Sequence, residues 1–187
     1  MSWLNLTTWL PCVFCEEQRA THHKLCEFCW KNLPWDQQIN TRQEVQFTAS
    51  CYYDYPMDRV IHQFKDQAKL HYLPLLSACL LSLPKPKVDA IVPMPLSTEK
   101  LISRGFSQTY LLAHTLSKQW QIPIWQPISR QDGHSQRGLD REQRLANLSN
   151  NFYINQSNKK KYRKVIMLDD VITTGASLFS LQQQLIE

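Results

Sequence analysis

The sequence predicts an α/β protein, a parallel sheet flanked by helices, preceded by a small cysteine-rich module at the N-terminus. Three observations predict it. From Val45 onward, strand-like and helix-like segments alternate. Val165 to Leu168 is a continuous apolar quartet, the pattern of a strand buried on both faces of a parallel sheet. The first forty or so residues instead hold four cysteines in two CxxC pairs and show no sustained periodicity. The expected division is a module over 1–42 and a larger domain over 43–187.

With 187 residues, the chain can hold one domain of about 150 residues and an appendage that needs its own staple. A hydrophobic content of 43% with 20% charged residues lies in the globular range, which argues against disorder. No run approaches the ~18 apolar residues of a membrane span. The segment from Trp3 to Pro11 has no basic leader and is broken by Asn5, Thr7 and Thr8, so it does not read as a signal peptide. The expected location is the reducing cytoplasm, where cysteines serve metals more often than disulfides. A formal net charge of +5 suits phosphate-bearing partners without demanding nucleic acid.

Cys12, Cys15, Cys26 and Cys29 form two knuckles that can supply four thiolates to a tetrahedral structural Zn2+. Redox dithiols are the main alternative, but the βαβ context of that chemistry is missing here. His22 and His23 lie between the knuckles and could replace one cysteine, although four cysteines already close the shell. Cys51 and Cys79 read as buried apolar residues, His62 and His71 as ordinary helix residues.

Val45, Phe47, Ala49 and Cys51 alternate with polar residues as a half-buried strand. Met57, Val60, Ile61 and Phe64 recur at helical spacing behind Pro56, and Leu70, Leu73, Leu75, Leu76 and Leu80 predict a second helix that stops at Pro84. Asp89 to Val92 is a short strand closed by Pro93 and Pro95. Leu111, Leu112, Thr115 and Leu116 mark a helix after Gly105, with Gly105 near its start. Between Ser129 and Asn151 apolar residues are scarce, which predicts a long functional loop.

The richest stretch runs from Val165 to Ser177. A strand delivers Asp169 and Asp170 to its carboxyl end, and the turn Thr173-Thr174-Gly175-Ala176-Ser177 opens a helix with an apolar stripe at Leu178, Leu181 and Leu185. Hydroxyls, a glycine and a helix N-terminus together make a seat for a phosphate dianion. The two carboxylates would repel that anion unless they face acceptor-seeking groups such as vicinal ribose hydroxyls or Mg2+. Neither GxxxxGK followed by Ser or Thr nor GxGxxG occurs, and the chain has only 4 Gly. A plain strand-turn-helix with solvated acids is the non-functional alternative.

This stretch closely resembles the phosphoribosyl-pyrophosphate signature of type I phosphoribosyltransferases. With Val92-Pro93-Met94-Pro95, with Arg104-Gly105-Phe106-Ser107-Gln108, and with Arg130, Gln136, Leu139, Arg144 and Asn147 in the long loop, the chain resembles the ComF/GntX family from Cys12 to its last residue. The resemblance implies a type I phosphoribosyltransferase-like fold and binding of 5-phosphoribosyl-1-pyrophosphate (PRPP) with Mg2+. Asp169 and Asp170 would hold the ribose 2′ and 3′ hydroxyls, and Thr173, Thr174, Gly175, Ala176 and Ser177 the 5′-phosphate. Arg104 would stabilise the departing pyrophosphate, and Lys65 also resembles a family position, though a solvated helix lysine reads equally well. No acceptor and no general base are implied, so transfer, hydrolysis and ligand binding without catalysis all stay open.

Family members often carry further cysteine pairs and continue into another strand, so a shortened module and a truncated C-terminal edge are expected here. The likeness to competence proteins opens a second reading, a single-stranded DNA-binding or regulatory factor of natural transformation that uses the zinc ribbon and the basic run Lys159, Lys160, Lys161, Arg163 and Lys164. Only Tyr162 accompanies that run as an aromatic, and a solvated turn explains it equally. A third reading is a scaffold whose ribbon docks a protein of the DNA-uptake machinery.

Overall fold

The computed structural model describes residues 10–21, 23–130, 152–154 and 162–186. It is a mixed α/β structure that divides into two compact units, Met1–Gln38 with Thr48–Leu83, and Ile39–Phe47 with Pro84–Glu187. The units interleave along the chain, where the sequence suggested a linear division after residue 42. Backbone pairing explains the first grouping. Asp36 N–H donates to Ser50 O at 3.1 Å, Gln37 N–H to Ala49 O at 2.9 Å, and Tyr52 N–H to Pro34 O at 2.8 Å. The segment after the cysteines is thereby stitched to the segment that leads into the next helices.

In the first unit, helix α1 (Glu27–Lys31) follows the second CxxC pair, and Cys26 is its N-cap. Helix α2 (Met57–Asp66) buries Met57, Val60 and Phe64, the i, i+3, i+7 stripe read from the sequence. A short 3₁₀ turn (Leu70–Tyr72) leads into α3 (Leu73–Leu81), which buries Leu75, Leu76, Ser77, Ala78 and Cys79. Cys79 is 1% exposed and its thiol hydrogen-bonds that of Cys51, so the two residues read as separate core positions are neighbours. Their bond lowers the Cys51 pKa and, with burial, pushes the Cys79 thiol up.

The second unit opens with the two-stranded hairpin β1 (Ile39–Arg42) and β2 (Val45–Thr48), the last residue of β2 falling in the first unit. Its parallel core is β3 (Ala90–Pro93) beside β6 (Val165–Leu168), in register from Ala90 opposite Val165 to Pro93 opposite Leu168. Ile124 forms a parallel bridge with Ile91 and extends the sheet on the other side of β3, where Trp125 N–H donates to Ile91 O at 2.8 Å. Helices α4 (Thr98–Arg104) and α5 (Gln108–Trp120) precede that bridge. Strands β4 (Ile128–Arg130) and β5 (Phe152–Ile154) pair antiparallel, and α6 (Ala176–Ile186) follows the phosphate-loop segment.

One apolar cluster joins these pieces: Val45, Val92, Met94, Ile128, Phe152, Leu178 and Leu181 are buried together. Burying side chains of this size stabilises by roughly 1.5 to 3 kcal/mol each. All four residues of β6 are half-buried, where the apolar quartet suggested full burial on both faces. Among the described residues β6 pairs only with β3, which accounts for the residual exposure. Gly105, expected near a helix start, instead closes α4 in the left-handed conformation (φ 76°), and its N–H donates to Leu101 O at 2.8 Å. Helix α4 was not foreseen because it buries no residue, so it lacks an apolar stripe.

Among the described residues, no helix is long and apolar enough to cross a membrane. Gln136, Leu139, Arg144, Asn147, His22 and Lys159 to Lys161 lie outside the described residues, while Arg130 ends β4 with its guanidinium 5.4 Å from the Phe152 ring centroid. Tyr162 packs edge-on against Trp125 at 5.4 Å.

Candidate functional site

The four expected zinc ligands meet. One ligand atom from each of Cys12, Cys15, Cys26 and Cys29 lies within 4.8 Å of the others. A Zn–S bond of about 2.3 Å gives a tetrahedral S···S edge of about 3.8 Å, and Cys15 Sγ and Cys26 Sγ are 3.8 Å apart. Backbone amides already point at the sulfurs: Phe14 N–H donates to Cys12 Sγ at 3.5 Å and Cys29 N–H to Cys26 Sγ at 3.4 Å.

The left-handed Glu16 (φ 58°) and the pair His23 (φ 47°) and Lys24 (φ 75°) turn the chain sharply around these ligands. Burial raises the Cys12 pKa, but the amides of Cys15, Cys26 and Phe14 and the Cys29 thiol outweigh it and bring it to about 6. Burial and the three other thiols push Cys29 up. Four clustered thiols therefore resist losing all their protons together unless a cation takes their charge, and a structural Zn2+ fits that demand. His23 lies 5.6 Å from Trp30 between ring centroids, and among the described residues the clustered set is the four cysteines.

The second site is at the carboxyl end of the parallel strands. Asp169, Val171, Ile172, Thr173, Thr174, Gly175, Ala176, Ser177 and Leu178 line a small cup of about 30 Å³. Its shape follows from local bonds. Asp170 N–H donates to Asp169 Oδ1 at 2.9 Å, Ala176 N–H to Thr174 Oγ1 at 3.3 Å, and Phe179 N–H to Gly175 O at 2.9 Å, so Gly175 supplies the first carbonyl of α6. Gly175 takes φ 83°, which a β-carbon would resist.

Met94 N–H donates to Leu168 O at 2.8 Å, which sets Pro93-Met94-Pro95 directly beside the strand end that carries the acid pair. Thr109 on α5 is 5% exposed and donates its hydroxyl to Met94 O at 2.8 Å. The order acids, hydroxyl turn, helix N-terminus is the one read from the sequence. Arg104 sits half-buried at the end of α4, and Lys65 on α2 belongs to the first compact unit. Chemically, the cup offers amide and hydroxyl donors to an anion and carboxylate acceptors to hydroxyl groups.

No protein-family model matches the chain. Competence protein F of Haemophilus influenzae is 32% identical to it over 190 residues, covering 93% of this chain and 77% of that protein. The chain belongs to the competence protein F family. Competence protein ComFC of Bacillus subtilis is 34% identical over 97 residues, 52% of this chain and 38% of that protein. DNA utilization protein YhgH of Escherichia coli K12 is 28% identical over 202 residues, 98% of this chain and 87% of that protein.

Two features of this competence protein F family member were not legible in the sequence. Gln108 is 2% exposed, and its Nε2 has no hydrogen-bond partner among the described residues. Its place in the Arg104 to Gln108 motif was the available signal, but burial of the amide was not legible. Arg42, on β1, passes against Gly175, and no local pattern marks that contact.

Proposed function

We propose that this chain binds PRPP at the cup and serves the uptake or use of incoming DNA. The observation that carries the ligand reading is the cup itself, which begins at Asp169, the first acid after a parallel strand end, and closes on a helix N-terminus. The names of the relatives, competence and DNA utilization proteins, support the cellular role.

In this reading Asp169 and Asp170 accept hydrogen bonds from the ribose 2′ and 3′ hydroxyls, while Thr173, Thr174, Gly175, Ala176 and Ser177 hold the 5′-phosphate. Carboxylates together with ligand phosphates are the usual holders of Mg2+, which would supply charge neutralisation for the pyrophosphate. Transfer or hydrolysis breaks the C1′–O bond to pyrophosphate, and the pair of electrons leaves with that oxygen. Arg104 is the residue assigned to the resulting charge. The phosphoribosyltransferase-like fold is part of the same proposal, and the zinc centre is its structural staple.

Calorimetric titration of PRPP with Mg2+ into the wild-type chain and into Asp169→Asn/Asp170→Asn tests the reading. Binding by the first and a loss of at least tenfold in the second is expected. Equal affinities would remove the assignment.

A second reading, contact with single-stranded DNA, is favoured by one surface of the first unit. Tyr52, Tyr53 and Tyr55 are 54%, 56% and 66% exposed, and the Arg59 guanidinium lies 5.2 Å from the Tyr55 ring centroid. Exposed rings and a cation are what sequence-tolerant base stacking uses. Gel shifts of an oligothymidylate at low and high salt test it, and no retardation at low salt would exclude it.

A further inference from the structure

Among the described residues that line the cup the charged side chain is Asp169, so a phosphate dianion seated there would meet from them a carboxylate and neutral donors. The neighbouring hairpin can supply the missing charge. A β-carbon placed on Gly175 would lie 3.1 Å from Arg42 Cβ and 3.3 Å from Arg42 O, so the end of β1 lies close against the glycine of the turn that forms the cup. Arg42 is exposed, and its guanidinium ends a long flexible stem that starts at this contact.

The hairpin is also held in an unfavourable shape. Gln43 (φ 46°) and Glu44 (φ 65°) both take the left-handed conformation with no glycine between the strands. Non-glycine residues held this way concentrate where geometry serves a ligand. Val45, 4% exposed in the core of the second unit, anchors the turn immediately after it.

Resting on the phosphoribosyl reading above, we propose that Arg42 is a further ligand-binding residue, one that contacts the 5′-phosphate end and not the pyrophosphate. It adds a charge-assisted bond where the loop offers only neutral donors. The residue thereby tunes the site toward phosphorylated sugars over the free sugar.

The test titrates PRPP and ribose 5-phosphate, which shares the phosphoryl end but lacks pyrophosphate, into full-length wild type, Arg42→Gln and Arg42→Lys. Arg42→Gln keeps the stem that packs beside Gly175, so the fold is retained, and thermal melting checks this. Arg42→Gln is expected to weaken both ligands alike, by roughly tenfold to a hundredfold, with partial recovery in Arg42→Lys. An unchanged affinity for ribose 5-phosphate, or a loss confined to PRPP, overturns the assignment of Arg42. If wild type binds PRPP and Asp169→Asn/Asp170→Asn does not, that failure belongs to Arg42 alone. If wild type binds neither ligand, the phosphoribosyl reading falls and Arg42 falls with it.

Discussion

Thr109 donates its hydroxyl to the carbonyl of Met94 at 2.8 Å, and both residues are buried. Met94 in turn donates its N–H to Leu168, the last residue before the acid pair. A single side chain on α5 therefore steadies the segment between two prolines that borders the cup. Thr109→Val keeps the shape but leaves the Met94 carbonyl without this partner. The expected loss is about 1 to 3 kcal/mol of stability, read from urea unfolding. An unchanged midpoint would show that water replaces the hydroxyl at no penalty.

The cysteine cluster makes a stoichiometric prediction. Protein purified without chelator should contain one zinc per chain by elemental analysis, and Cys26→Ser should contain much less. Metal release should accompany acidification, because protons compete with the ion for the thiolates. Melting temperature should fall together with metal content. A full-stability, metal-free wild type would remove the structural role.

Two glycines separate conformational from steric demand. Gly105 (φ 76°) has nothing within 4 Å of an added β-carbon, whereas Gly175 (φ 83°) would meet Arg42 at 3.1 Å. Gly105→Ala should cost only the left-handed penalty of about 1 to 2 kcal/mol. Gly175→Ala should lose more stability and also weaken PRPP binding, because the hairpin or the loop must move. Thermal melts of the two variants, with titration of the second, decide this.

Legibility in the sequence followed the range of the forces involved. The strand, turn and helix from Val165 to Ser177 were readable because they are contiguous, each residue's place being set by its neighbours. The four cysteines were readable for the same reason, since ligand spacing is a local constraint. Strand β1, with sequence Ile39-Asn40-Thr41-Arg42, carries no alternation and is mostly exposed, so only its pairing with β2 makes it a strand. The contact of Arg42 with Gly175 and the meeting of Cys51 with Cys79 depend on chain segments far apart, which no short pattern encodes.

The strained turn offers a stability gain. Replacing Gln43-Glu44 with Asn-Gly, residues that accept positive φ at both positions, should relieve about 1 kcal/mol or more. A higher melting temperature is the expected result. No change would mean that the tertiary contacts around Val45, not the turn residues, fix the hairpin.

The chain passes between its compact units at 38/39, 47/48 and 83/84. Neither unit is a continuous piece of polypeptide, so no simple truncation isolates one. Deleting everything through residue 42 would take the four-cysteine cluster, and would also remove β1 from its partner and Arg42 from Gly175. Experiments that separate the cysteine cluster from the cup must therefore use point substitutions in the intact protein.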